Sequence, residues 1–214
     1  MSVDVRERLG DPTLGSRIRA LGFRPDDAAA AEQAAREVLA RPDDLNIVGT
    51  MADRLITHLG DFTAMGHPDV WSDAPADPNG VLPLLTLVVT APEVAEWHAR
   101  RGIPADISAA SLTDLGQQVW VHRLTFDTFG LHTHDWLTIA WSGALFWLGR
   151  LQFNLHPEGG GWVLNTHIPR TGPLTPEAVD NSFAEATRFF ATYFPDYPTR
   201  DFVCASWLLE PALT

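Results

Sequence analysis

Between Ala144 and Leu209 the hydrophobic period of the chain switches from two residues to three-and-four and back, and that order leaves few folds open. Ala144–His156 (ALFWLGRLQFNLH) alternates residue by residue, the mark of a strand. The turn HPEGGG follows, then a second alternating run, Trp162–Ile168. After PRTGPLTPEAV the period lengthens. Val179, Phe183, Ala186, Phe190 and Phe194 form one face of a helix from about Thr175 to Tyr193. Thr175 suits the N-cap, Pro176 suits the first helical position, and Pro195 and Pro198 stop the helix. Phe202–Leu209 (FVCASWLL) is a further strand. A strand–helix–strand connection within one sheet is right-handed, so the last two strands are expected to be parallel.

The first two strands can be registered by arithmetic. With His156 opposite Gly161, Asn154 faces Val163, Gln152 faces Asn165 and Arg150 faces His167. A polar strip of Arg150, Gln152, Asn165 and His167 then lines one side of the hairpin. Leu145, Trp147, Leu151, Phe153 and Leu155 line the other. The strip reads either as an ordinary solvated sheet face or as the wall of a site beside the strand-to-helix turn. In that turn Gly172 precedes a helix N-terminus, whose free N–H groups and dipole favour an anion such as a pyrophosphate.

The first half reads as helical. Asp26–Arg41 is Ala-rich and bounded by Pro25 and Pro42, and Asp43–Gly60 is amphipathic. His67–Pro83, with four prolines, reads as loop, and Val81–Thr90 fits helix or strand. Glu93–Arg101 reads as a short helix, and another follows Pro104. Trp136–Trp141 (WLTIAW) reads as a strand. The expected class is α+β, with a mostly helical part over 1–130 and a mixed sheet domain over 131–214.

Composition narrows the function. The chain has 214 residues and 45% hydrophobic content, enough for a sizeable core. Its net charge of −12 and the absence of a basic stripe argue against nucleic acid as a partner. All fifteen basic residues are arginine, which excludes Schiff-base and P-loop lysines. The single cysteine excludes an internal disulfide or a Cys-based zinc cluster. The charged N-terminus does not read as a signal peptide, and the apolar stretch Trp136–Leu155 is broken by Arg150, Gln152 and Asn154. A cytoplasmic protein without a membrane partner is expected.

Four blocks occur in order: RRGIPADISAASLTDLG (100–116), LGRLQF (148–153), HIPRTGPLTPEAVDNSFAEATRFF (167–190) and FVCASWLLEP (202–211). With these the chain resembles bacterial two-part acyltransferases, which join a helical N-terminal domain to a GNAT-like C-terminal domain. That group includes the N-acyltransferases that lipidate glycopeptide antibiotics, a reaction of secondary metabolism. The resemblance spans most of residues 50–211. It implies acyl-CoA as co-substrate, with no other cofactor, and transfer of the acyl group to an amine or hydroxyl of a small-molecule acceptor. It also implies that the parallel strands diverge near His167, where a thioester enters. Two departures bear on this. The usual pyrophosphate loop, an Arg or Gln followed by x-x-Gly-x-Gly or Ala, is replaced here by the turn of Ile168, Arg170, Thr171, Gly172 and Leu174, which is expected to hold the CoA. Family members also continue past the last block, so the chain is either a fragment or a shortened member, with a sheet incomplete at its C-terminal side. A catalytically degenerate module that binds acyl-CoA or a partner protein is the alternative to an enzyme.

The resemblance makes His167 the candidate base, against a purely structural histidine. Arg150 across from it would disfavour imidazolium. Ser206 could reprotonate the leaving thiolate. Cys204, on the same face, reads either as a nucleophile paired with His167 or as a small buried hydrophobe. Arg150, Gln152 and Asn165 would contact substrate. Trp141 and Trp207 would line an acyl tunnel or fill the core. His132 and His134, with His122 or His156, could gather a metal but read more simply as a solvated turn, so no metal is expected.

Overall fold

A computed structural model describes residues 3–206 apart from Met65, Asp73, Pro75 and Ala76. The helical part comprises α1 (Val5–Gly10), α2 (Leu14–Ala20), α3 (Pro25–Ala40), α4 (Pro42–Thr57), α5 (Val81–Arg100), α6 (Ala105–Leu112), α7 (Asp114–Phe126) and α8 (His134–Trp141). A single 3-10 turn, Pro68–Trp71, interrupts the loop before α5. The sheet follows as β1 (Leu145–Leu148), β2 (Leu151–Glu158), β3 (Gly161–His167), α9 (Pro176–Tyr193) and β4 (Thr199–Val203), in the order β1-β2-β3-β4.

The helix boundaries follow local chemistry. Proline opens α3, α4 and α9 at the first helical position, and the Thr175 hydroxyl caps α9 by accepting from Ala178 N at 3.3 Å. Val81–Thr90 is helical and continuous with Glu93–Arg100 despite Pro92. It lies at the centre of the helical core, where Leu84, Leu85 and Leu87 are fully buried. Gly116 lets α7 approach the turn after α2. A Cβ there would meet the Gly22 carbonyl carbon at 2.1 Å, so only glycine fits.

Two strand expectations need correction. WLTIAW belongs to α8, not to a strand: Leu137, Ile139, Ala140 and Trp141 are all buried, and a short run apolar on every side carries no period to separate helix from strand. The run Ala144–His156 is two antiparallel strands rather than one. Gly149, at φ +65°, and Arg150 make a two-residue turn with glycine first, the II′ pattern, and Leu148 pairs with Leu151. Such a turn reverses the alternation. Phe146 and Leu148 therefore join Leu151, Phe153 and Leu155 in the core under α9, whereas Leu145 belongs to the helical core.

The β2–β3 hairpin forms, shifted by two residues from the expected register. Gln152 pairs with His167, Asn154 with Asn165 and His156 with Val163. A two-residue shift preserves facing, so Gln152, Asn154, Asn165 and His167 still share one side. Arg150 lies outside the ladder and is not opposite His167. β3 and β4 are parallel, as the crossover requires. Their ladder ends at Asn165–Val203, two residues short of His167. Among the described residues no helix is long and apolar enough to cross a membrane.

Candidate functional site

Where β3 and β4 part, a cavity of about 440 Å³ opens between the sheet and the helical part. Its walls are Gln118 of α7, Trp136 of α8, Gln152 of β2, His167 of β3 and the residues Ile168, Arg170 and Ser206. Ile168, Pro169, Arg170 and Ser206 also line a larger adjoining cavity of about 890 Å³, with Arg150, Thr171, Gly172 and Leu174. The histidine and the whole strand-to-helix turn thus line one continuous depression.

His167 is fixed on two sides. Its Nε2 lies 2.6 Å from Asn154 Oδ1, and the Asn154 amide nitrogen donates to Leu155 O at 2.7 Å. That second bond sets the amide orientation, so Nε2–H is the donor and Nδ1 is left as the ring's acceptor. The Trp136 ring packs edge-on at 4.4 Å between centroids. Burial pushes His167 down to about 4. The ring is therefore neutral near pH 7 through desolvation, not through Arg150.

Arg150 has another task. Its guanidinium donates to the carbonyls of Pro169, Gly172 and Pro173, each at 3.1 Å, and its backbone N donates to Ser182 Oγ at 2.7 Å. It holds the 169–173 turn in shape ahead of α9. Gly172 sits at φ +45° within that turn. Arg170 lies 5.8 Å from the Trp120 ring centroid, and its carbonyl accepts from Gln117 at 3.4 Å.

Behind the cavity lies Asp114, fully buried at the first position of α7. Trp136 Nε1 donates to it at 3.3 Å and Gln118 Nε2 at 3.4 Å. Burial raises its carboxyl pKa, against the opposing pull of Gln152, Trp136 and Gln118. Asp114, Trp136 and Asn154 did not stand out in the sequence as site residues. Asp114 falls within the helix expected after Pro104 and carries no signal of its own, Trp136 reads as part of a strand, and Asn154 as one polar position in an alternation.

The remaining candidates separate. Trp141 is fully buried in the helical core, with Nε1 donating to Leu87 O at 3.1 Å, so it fills the core and lines no open acyl channel. Trp207 lies outside the described residues. Cys204 is partly exposed, and burial raises its thiol pKa, which disfavours a nucleophilic thiolate. His132 meets His122 (Nδ1 to Nδ1, 3.2 Å), whereas His134 turns edge-on to Trp71, so the His-x-His pair does not converge. A group absent from the sequence reading, His58, His67 and Asp69, brings three potential ligand atoms within 4.8 Å. The two imidazoles stack 3.7 Å apart at 10°. Parallel rings aim their in-plane lone pairs side by side, not at a common ion.

A helical module packed on a mixed sheet with a parallel β3–β4 pair beside His167 is a GNAT-like architecture. Residues 12–143 match the N-acyltransferase N-terminal domain and residues 145–214 the GNAT-like C-terminal domain, and the chain belongs to this family. It is similar to a mutant acyltransferase solved with octanoyl-CoA, at 31% identity and a TM-score of 0.84, over 92% of this chain and 62% of that one. It is also similar to an acyltransferase solved with decanoyl-CoA and teicoplanin, at 31% identity and a TM-score of 0.82, with the same coverage. An acyltransferase solved with CoA and an acylated teicoplanin aligns over the same shares at 30% identity. The chain thus spans about three-fifths of the length of these proteins. No curated protein matches it.

Proposed function

We propose that this chain carries the acyl-CoA side of an acyltransferase that moves an acyl group to an amine or hydroxyl of a small-molecule acceptor, with no cofactor beyond acyl-CoA. The carrying observation is His167, neutral and fixed in one tautomer, at the end of the parallel β3–β4 ladder beside a turn held by Arg150. Similarity to acyltransferases solved with acyl-CoA and a glycopeptide supports the reading.

In this reading the 168–174 turn and the start of α9 hold the pyrophosphate, with Arg170 as its cation and Arg150 as the clamp that keeps the turn formed. The thioester carbonyl enters between β3 and β4 near His167. The acceptor nitrogen attacks the carbonyl carbon, and its proton becomes strongly acidic as the C–N bond forms. His167 Nδ1 takes that proton. The C–S bond then breaks, the Ser206 hydroxyl passes a proton to the departing thiolate while taking one from water, and His167 returns the proton it took to the solvent. Gln152 and Asn165 lie beside His167 on the same strand face and would contact the substrates.

Two variants separate binding from chemistry. Arg170→Ala is expected to weaken acyl-CoA binding in isothermal titration by about 1.5–3 kcal/mol, the range for a charge-assisted hydrogen bond. His167→Ala should leave binding within a few-fold and lower thiol release by roughly 100-fold or more. A wild-type protein that binds several acyl-CoAs yet releases no thiol with any amine would favour a binding module.

A further inference from the structure

We infer that Asp114 is a positioning residue of the His167 site: a buried carboxylate that, through Trp136, Gln118 and Gln152, holds the cavity wall against which the histidine is set. The inference rests on the acyltransferase reading for its kinetic consequence, but its geometry stands by itself.

Asp114 is fully buried, and the side chains around it are neutral N–H donors rather than a cation. A buried carboxylate held this way is costly, and replacing it with an apolar group would cost the fold little if packing were its only task. Its surroundings indicate a different task. Trp136 Nε1 and Gln118 Nε2 donate to its two oxygens, and Gln152 Nε2, buried and without a hydrogen bond of good geometry, lies close to the same carboxylate. All three side chains line the cavity that contains His167. Trp136 carries the arrangement onward, because its indole is anchored at Nε1 by Asp114 and packs edge-on against the His167 ring at 4.4 Å. The chain of contact is therefore Asp114, Trp136, His167, with Asn154 fixing the opposite side of the imidazole. Removing the anchor frees the indole to turn, lets water reach the ring and loosens the Nδ1 direction. Among the described residues, the charged or titratable side chains nearest His167 in this depression are Arg170 in the same cavity, Arg150 in the adjoining one and Asp114 behind the wall.

The test compares wild type with Asp114→Asn, Trp136→Phe and the double variant. Asparagine keeps the size and one acceptor but confronts the remaining donors with an N–H₂ group. Phenylalanine keeps a ring and removes the anchored N–H. The first readout is the His167 ring titration by NMR, which needs no activity. Wild type should titrate far below the ordinary histidine value of about 6.5, and Trp136→Phe, which opens the wall without changing a charge, should move back toward it, whereas Asp114→Asn should shift it by the balance of the opened wall, which raises it, and the lost negative charge, which lowers it. The second readout is kinetic: kcat for acyl transfer should fall about 10- to 100-fold while KM for acyl-CoA stays within about threefold, and the double variant should be no worse than the more damaging single variant. An unchanged His167 titration in folded Trp136→Phe overturns the inference, as does full additivity of the two changes. If Asp114→Asn does not fold, Trp136→Phe alone decides through the same titration. A wild-type chain that binds no acyl-CoA but shows the expected titration shifts would reject the acyltransferase reading and leave the positioning role standing.

Discussion

His98 and His167 are each pushed down to about 4 by burial, and both are neutral in the folded protein at pH 7. His98 sits within the fold, its Nδ1 2.8 Å from Ser108 Oγ, and touches the Phe146 ring at 4.9 Å. An unfolded histidine titrates near 6.5, so between about 6.5 and 4 the unfolded chain binds a proton at each position that the folded chain does not. Their contribution is complete above about pH 6.5 and is lost as the pH falls through that window. By pH 5 the loss is expected to be about 2 kcal/mol for each histidine. Asp114 works in the opposite sense. Its raised carboxyl stays protonated longer in the folded state, so its share favours folding at low pH and fades as the pH rises through its folded pKa. Urea midpoints at pH 7 and pH 5 should therefore fall steeply toward acid, and His98→Gln should flatten that slope whatever its effect on stability at pH 7. An unchanged slope would mean that His98 is not the buried neutral group described.

At the scale of elements, the β1–β2 turn is where local chemistry is most exacting. Gly149 has φ +65°, and a Cβ there would lie 2.7 Å from Ser182 Oγ, the atom that accepts the Arg150 backbone N–H. Gly149→Ala should cost about 1–3 kcal/mol, read from urea unfolding, because strain and the close oxygen add together. It should also loosen the Arg150 clamp and, on the proposed function, weaken acyl-CoA binding. Tolerance of alanine with unchanged binding would dissociate the turn from the clamp. The same position explains what the sequence concealed. The β3–α9–β4 crossover was legible in order and direction because Thr175 and Pro176 mark the helix start, Pro195 its end, and β3 alternates; the bounds of the last strand were not, since β4 is Thr199–Val203 rather than 202–209, of which 207–209 lie outside the described residues. The β1–β2 break was not, because one glycine in an apolar run looks like a strand residue until its dihedral is known. Facing of Gln152, Asn165 and His167 survived a register error of two residues, since strand faces repeat every two. Arg150 did not survive it, because it lies in the turn rather than the ladder. Asp114 and Trp136 were out of reach, since their roles arise only when α7 and α8 are laid against the sheet.

The described residues form two hydrophobic cores, and the site lies where they meet. One core lies within the helices. The other, under α9, gathers Phe146, Phe153, Phe189, Phe190 and Phe194 but also takes in Phe62, Ile103 and Trp97 from the helical part. Polar ties reinforce the junction. Arg101 Nε donates to Tyr193 O at 2.7 Å while its guanidinium lies 4.4 Å over the Phe194 ring, and Trp147 N donates to Ser111 Oγ at 3.0 Å. Gln118 and Trp136 come from one side of the cavity, Gln152 and His167 from the other. A sheet that takes part of its core and a third of its site wall from the helices is expected not to fold alone. The full chain should therefore unfold in a single transition, with the same urea midpoint by far-UV dichroism, which follows the helices, and by near-UV dichroism, which follows the aromatic core. A fragment of residues 145–206 should give no cooperative transition. Arg101→Ala should lower both midpoints of the full chain together, by an amount equivalent to about 1 kcal/mol for the part-buried carbonyl left without its donor. Loss of the near-UV signal at a lower urea concentration than the far-UV signal would show two independent cores, and the site would then be a contact between domains that can separate, not a fixed feature of one folding unit.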